Sequence, residues 1–254
     1  MKNFFTRAGL ILFLAAGART QTTNALSDAE IQGGSLVRQI LDQTPVTNFT
    51  QNGVLKIRSK QGDTTNVRVS FQTVVTPEDW QTIYEASPSA NDVPHTRLRI
   101  IHVHEGLNRY FLTEDHNSLT NPSPLDSTSL SGNETMLSFA GSDFWLADLG
   151  LEFFHWPQQK VLKHEVRRSR GCAVLESTNP SPATNGYSRV ISWIDNESFG
   201  IIHAEAYDAQ NKLLKEFDPK SFKKVNGQWE LQEMEIRNVQ TGSRTRLEFD
   251  LPAR

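Results

Sequence analysis

The sequence predicts a mainly antiparallel β-sheet with a few short helices on one face, an α+β fold in a single domain. Three observations carry this prediction. Apolar residues alternate with period two over most of the chain after about residue 50. Helical spacing occurs in only two places. No stretch of linker composition divides the strands into two families.

In chain order, Ser27 and Glu30 form a capping box, in which each side chain takes a backbone N–H of the other. Leu36, Val37, Ile40 and Leu41 then make one helical stripe, which Pro45 ends. Gly33 and Gly34 each weaken that helix by about 1 kcal/mol relative to Ala, so it depends on packing. The period then changes to two. Val67, Val69, Phe71, Thr73 and Val75 share one strand face, with Arg68, Ser70 and Gln72 on the other. Trp80, Thr82 and Tyr84 alternate in the same way, residues 97–103 continue the pattern, and Gly106 marks a turn before 110–112. Residues 113–135, rich in Asn, Ser, Pro and Thr with no period, predict a long loop. A second helix is expected after Ser142 as N-cap, with Phe144, Trp145, Leu149, Phe153 and Phe154 as an aromatic stripe stopping before Pro157. In the last third, Tyr187, Arg189, Ile191 and Trp193 alternate, and strands follow at 199–207, 212–217, 229–238 and 245–251. Asn226-Gly227 is a two-residue hairpin turn, since both central residues of a type I′ turn need positive φ.

Composition narrows the function. A chain of 254 residues can bury ~70–75% of its unfolded surface without staples. The 26 basic and 29 acidic side chains leave a net charge of −3, so no basic field exists to condense on nucleic acid. The single cysteine, Cys172, can make no intramolecular disulfide and sits in an apolar strand as a small hydrophobe. Lys2 and Arg7, the apolar run 8–16 and Ala16-Gly17-Ala18 read as a signal peptide over residues 1–18, with a second possible cut after Ala25. That run is too short to span a hydrocarbon core of ~30 Å. Residues 19–254 are then one exported domain.

Catalytic signatures are thin: the sequence holds no nucleophile elbow, zincin helix, phosphate loop or dinucleotide fingerprint. His102 and His104 share a strand face and, with His116 or Asp115, could hold zinc for a hydrolase; two imidazoles at a half-buried strand end are the more ordinary reading. Arg167, Arg168 and Arg170, with Lys160 and Lys163, form a local basic run, either a solvated turn or a docking patch for an acidic partner or anionic lipid.

Several segments resemble the LolA-like outer-membrane lipoprotein-sorting family. They are residues 139–149 around Gly141-Ser142-Asp143-Phe144 and Asp148-Leu149, then 172–176, Pro180, Tyr187 and 192–195. The hairpin 207–215 is similar too, with Asn211 where Gly is common, as are Asn238, Thr241, 245–247 and the early strand 53–58. The resemblance implies a half-open β-barrel whose concave face is covered by short helices. It implies a periplasmic carrier, not an enzyme and without cofactor, that shields acyl chains of lipoproteins or related lipids. Its partners would be an inner-membrane donor complex and an outer-membrane acceptor, with only transient membrane contact, and it would act as a monomer. A non-transporting envelope interaction protein on the same fold is the alternative. A carrier needs an apolar wall and a lid. Wall candidates are Val69, Phe71, Trp80 and Tyr84, with Tyr110, Trp193 and Phe249; the helix over 144–154, bearing Phe144, Trp145, Leu149, Phe153 and Phe154, is the candidate lid.

Overall fold

The computed structural model describes residues 26–88, 95–103, 106–115, 127–225 and 228–251. The expected signal peptide, His104 and the Asn226-Gly227 turn lie outside them. The alternating segments form strands β1 (Phe49–Arg58), β2 (Thr64–Val75), β3 (Trp80–Pro88), β4 (His95–His102), β5 (Arg109–Asp115) and β6 (Thr128–Leu130). After a crossing segment come β7 (Gln158–Arg167), β8 (Arg170–Thr178), β9 (Tyr187–Asp195) and β10 (Ile201–Asp208), then β11 (Leu213–Val225), β12 (Gln228–Asn238) and β13 (Arg244–Phe249). They hydrogen-bond in the order β6-β5-β4-β3-β2-β1-β13-β12-β11-β10-β9-β8-β7, one antiparallel sheet that is curved and not closed. Part of the expected long loop is therefore strand: Thr128–Leu130 pairs with β5.

This order dictates what covers the inner face. The two edges, β6 and β7, are consecutive in the sequence, so the chain between them must cross the open side of the sheet. That crossing segment, residues 131–157, acts as a strap. On its N-terminal side Phe139, Phe144 and Leu146 pack on Val69, Leu98, Ile100 and Leu247. On the other, Phe153, Phe154 and Trp156 pack on Leu175, Val190 and Ile194. Helix α1 (Asp28–Leu41) starts with the expected capping box, Ser27 N–H donating to Glu30 Oε2 at 2.7 Å, and lies against β7. Gly33 makes that approach possible, because a Cβ there would stand 2.5 Å from the carbonyl of Gln159.

Two expectations change. The strap is not one helix: a four-residue turn, α2 (Leu146–Leu149), and a 3₁₀ turn at Glu152–His155 are separated by Leu151 at φ +51°. A continuous helix would hold its aromatic stripe on one side, whereas the break lets Phe144 and Phe153 reach different halves of the sheet. Ser142 caps neither turn; Trp145 N–H is taken by Asp148 Oδ2 at 2.8 Å. Trp193 also departs from the inner wall. In β9, Asp208 faces Tyr187 and Tyr207 faces Arg189, so Ser188 is an extra residue, a bulge that switches the strand's faces. Tyr187 therefore points inward with Val190 and Ile194, while Trp193 packs on the outer face with Cys172 and Val174.

Candidate functional site: the cleft under the strap

Between strap and sheet lie two adjoining cavities, of 610 and 1030 Å³, that share Trp80, Thr82, Tyr84, Leu149, Leu151 and Phe217. Each compares in size with a whole small-molecule pocket, which ranges over ~300–1,000 Å³. The walls are mostly apolar. Inward positions of alternating strands supply Phe71, Tyr84, Phe217, Met234, Ile236 and Phe249, and the strap supplies Phe144, Leu149 and Phe153. Phe71 meets Tyr84 edge-on, ring centroids 5.3 Å apart, and leans on Phe249 at 5.5 Å. The larger cavity reaches one end of the sheet, among the β7–β8 and β9–β10 turns and the β11–β12 hairpin.

The sequence-predicted residues divide as follows. Phe71, Trp80, Tyr84 and Phe249 line the smaller cavity. Val69 is buried behind them, and Tyr110 is wholly buried, its hydroxyl donating to Glu152 at 2.9 Å. Trp193 is outside. Of the strap residues, Phe144, Leu149 and Phe153 face the smaller cavity and Phe154 the larger, while Trp145 stacks on Tyr187 at 4.6 Å.

What sequence reasoning missed is the polar anchorage of the strap. Lys215, 1% exposed, reaches inward from β11 and donates to Asp143 O at 2.7 Å. Its ammonium lies 3.4 Å from Asp148 Oδ2 and 3.6 Å from the centre of the Trp145 ring, whose π face favours a cation. Burial pulls its pKa down to about 8. Asp148 also accepts from the Tyr187 hydroxyl at 2.9 Å, and Asp143 accepts from Thr245 at 2.8 Å and Ser243 at 2.5 Å. The Gly141-Ser142-Asp143-Phe144 and Asp148-Leu149 motifs are thus the fastening of the strap to β9, β11 and β13. The available signal was Lys215 itself, a charge at the inward position of an alternating strand beside Phe217.

A second polar knot lies toward β5. Burial raises Glu152, 2% exposed, to a pKa of about 7. Gly150 permits the close passage, since a Cβ there would lie 2.1 Å from the Tyr110 hydroxyl. His102 stacks on Trp80 at 3.7 Å and bonds Thr82 Oγ1 at 3.0 Å; burial, with the nearby His155, pushes its pKa down to about 4. Among the described residues no group of three metal-ligating side chains converges. The basic run is internally paired: Arg170 grips Asp195, holding that carboxyl down at about 2, and Arg168 bonds Asp218 and the carbonyl of Pro219. Cys172 is fully buried, and burial raises its thiol pKa.

Comparison with known proteins agrees with this architecture. A DUF1329 family protein from Desulfovibrio piger superposes with a TM-score of 0.68 at 19% identity, covering 88% of this chain and 92% of that one. A putative outer membrane lipoprotein-sorting protein domain from Vibrio parahaemolyticus gives 0.67 at 18%, covering 87% and 92%. A LolA superfamily protein from Nitrosomonas europaea gives 0.55 at 15%, covering 89% and 96%. No curated protein matches the sequence. A family model described as "Uncharacterized protein" matches residues 120–252, just over half of the chain, a span that includes β6, the strap and β7 to β13. The chain therefore belongs to the family that this model describes, and it carries the LolA-like fold.

Proposed function

We propose that this protein is an exported, single-domain carrier that shields the acyl chains of lipoproteins or related lipids as they cross the periplasm. The observation that carries the reading is the cleft: two joined, largely apolar cavities of 610 and 1030 Å³, open at one end of a curved sheet. A solvated acyl chain gains about 0.8 kcal/mol for each methylene withdrawn from water, so an apolar cleft holds it without covalent chemistry. Its solved relatives in fold include a putative outer membrane lipoprotein-sorting domain, which supports the same class of cargo.

The strap serves this carrier as a fixed floor. Opening it would expose the Lys215–Asp148 pair, break the Asp143 bonds to β13 and unstack Trp145 from Tyr187. Cargo enters instead at the end where the larger cavity meets solvent. The test is native mass spectrometry of the protein extracted from its own envelope, with titration of the delipidated protein by a fluorescent fatty acid. A co-purifying acylated species and saturable binding at one or two sites are expected. A lipid-free protein that binds no acyl probe would overturn the carrier reading and leave an interaction protein on the same fold.

A further inference from the structure

The end of the sheet at which the cleft opens carries an unusual share of exposed apolar side chains. β1 begins there, β13 ends there, and the β2–β3, β4–β5, β7–β8, β9–β10 and β11–β12 turns all lie there. Val46, Phe49, Leu107, Val166, Phe222 and Trp229 are exposed on those segments. The β11–β12 hairpin is the extreme case. β10 pairs with β11 only as far as Phe217, and β13 pairs with β12 only from Glu233 onward. Beyond these points the ladder joins Phe222–Val225 and Gln228–Gln232 only to each other, a two-stranded ribbon that runs on for roughly 15 Å, with Lys223 donating to the Leu251 carbonyl at its side. Arg168 braces its base at Pro219 and Asp218.

One face of the ribbon is apolar. Phe222 opposes Leu231 and Lys224 opposes Trp229, which puts these four on the same side, and Phe222, Trp229 and Leu231 continue the lining of the larger cavity. Trp229 is nevertheless 70% exposed and Phe222 49%. An isolated two-stranded ribbon is marginal in water, and exposed rings at its tip make it worse, so the arrangement fits an environment other than water. The charges nearby identify it. Lys224 shares the face of the two rings, while Lys220 is paired with Glu235 at 3.0 Å and Lys223, opposite Glu230, donates to the carbonyl of Leu251 at 3.4 Å. Exposed aromatic rings with a lysine on the same face, its stem along apolar surface, are the composition of a membrane interface.

We propose that this end of the protein docks on the surface of an anionic phospholipid bilayer, with Phe222 and Trp229 entering the interface and Lys224, on the same face, meeting headgroups. The apolar path from Trp229 through Phe222 and Leu231 then joins bilayer to cavity, so an acyl chain passes between them without crossing open water. This last step rests on the carrier reading; the docking does not.

Flotation of the exported full-length chain with vesicles of phosphatidylethanolamine and phosphatidylglycerol tests it. Phe222→Ser and Trp229→Ser should each weaken partition by about tenfold or more, since each removes a ring from the interface. Leu162→Ser and Val239→Ser, at exposed apolar positions away from this end, should leave it unchanged. Brominated lipid should quench the wild type more than Trp229→Phe, which reports entry of that ring directly. Binding of a soluble fatty acid by the wild type without vesicles is measured in parallel, and its absence defeats the carrier alone; urea midpoints and circular dichroism matching the wild type show that the ribbon variants are folded. Wild-type protein that does not float, ribbon variants that float like wild type, or rings needed only for capture of a protein partner would each overturn the docking proposal.

Discussion

Ala204 offers the sharpest test of the cleft. It sits on the inner face of β10 opposite Phe217, lines the smaller cavity and leaves the wall shallow at that point. Ala204→Phe would project a ring into 610 Å³ of space now bounded by Phe71, Phe217 and Phe249. The ring adds about six carbons, and excluding a similar length of acyl chain forfeits about 0.8 kcal/mol per methylene, or about 5 kcal/mol in all. That corresponds to a loss of affinity of about four thousandfold. Part of it is recovered if the chain bends into the larger cavity, so a hundredfold loss is the working threshold. Stability should hardly change, because the ring fills space and does not overpack a dense core. Titration with a fluorescent fatty acid reads the affinity, and urea unfolding of the same sample reads the stability. Affinity within about threefold of wild type in a stably folded variant would refute the assignment of this cavity as the acyl site.

Glu152→Gln should flatten the pH profile of stability. With its pKa raised to about 7, the folded protein binds the proton that the unfolded chain releases near 4.5, so wild-type stability should fall by up to about 3 kcal/mol as pH rises from about 4.5 through 7. Urea midpoints at pH 5 and 8 measure it, and the variant should show little of the drop. Lys215 titrates in the opposite sense. Its pKa of about 8 lies below the usual lysine value, so stability gains as pH rises from about 8 toward 10.5 and the folded form sheds its proton first; Lys215→Met should abolish that rise in alkaline melts. At neutral pH the same change leaves Asp148 without its cation and should destabilise by about 3–5 kcal/mol in urea titrations. Gly33→Ala should lower the melting temperature despite a helix-propensity gain of about 1 kcal/mol, because the new Cβ meets the Gln159 backbone at 2.5 Å. Gly34→Ala, with nothing within 4 Å, should raise it.

The sheet was legible in the sequence because period-two alternation and burial of one face are the same fact. Val67, Val69, Phe71 and Thr73 alternate in the sequence and turn inward in the fold, and Trp80, Thr82 and Tyr84 do likewise. The reading failed where a local device overrides the period. At Ser188 one inserted residue reverses the faces of β9, and nothing in Tyr187 to Trp193 marks it: the segment holds no Gly or Pro. At Leu151 a residue without a helix-stopping side chain adopts positive φ next to Gly150, and the aromatic stripe of 144–154, sound as a pattern, is divided between two sides. β6 and β7 escaped notice for another reason. As edge strands they bury little, and β7 is mostly polar, which also protects an unpaired edge from a second chain. The candidate site was half visible for the same reason as the sheet. Rings at inward strand positions could be named, but Lys215, Asp148, Tyr187 and Glu152 meet only through the strap's path, which no local pattern encodes.

The failure of β6 and β7 to meet has a mechanical consequence. In a closed barrel the number of strands and their stagger fix the bore, and any change of radius must shear the ladder. Here the bore is not quantised. Spreading or drawing together the two margins breaks no ladder hydrogen bond; it slides the apolar contacts that the strap and α1 make with the sheet, about the polar fastening at Asp143, Asp148 and Glu152. The apolar contacts are individually weak and non-directional, so the margins can shift by small increments while the polar fastening keeps the strap in place. Cargo of different girth would then be accommodated by margin spacing alone, with the strand ladder equally protected from amide exchange in every loaded form.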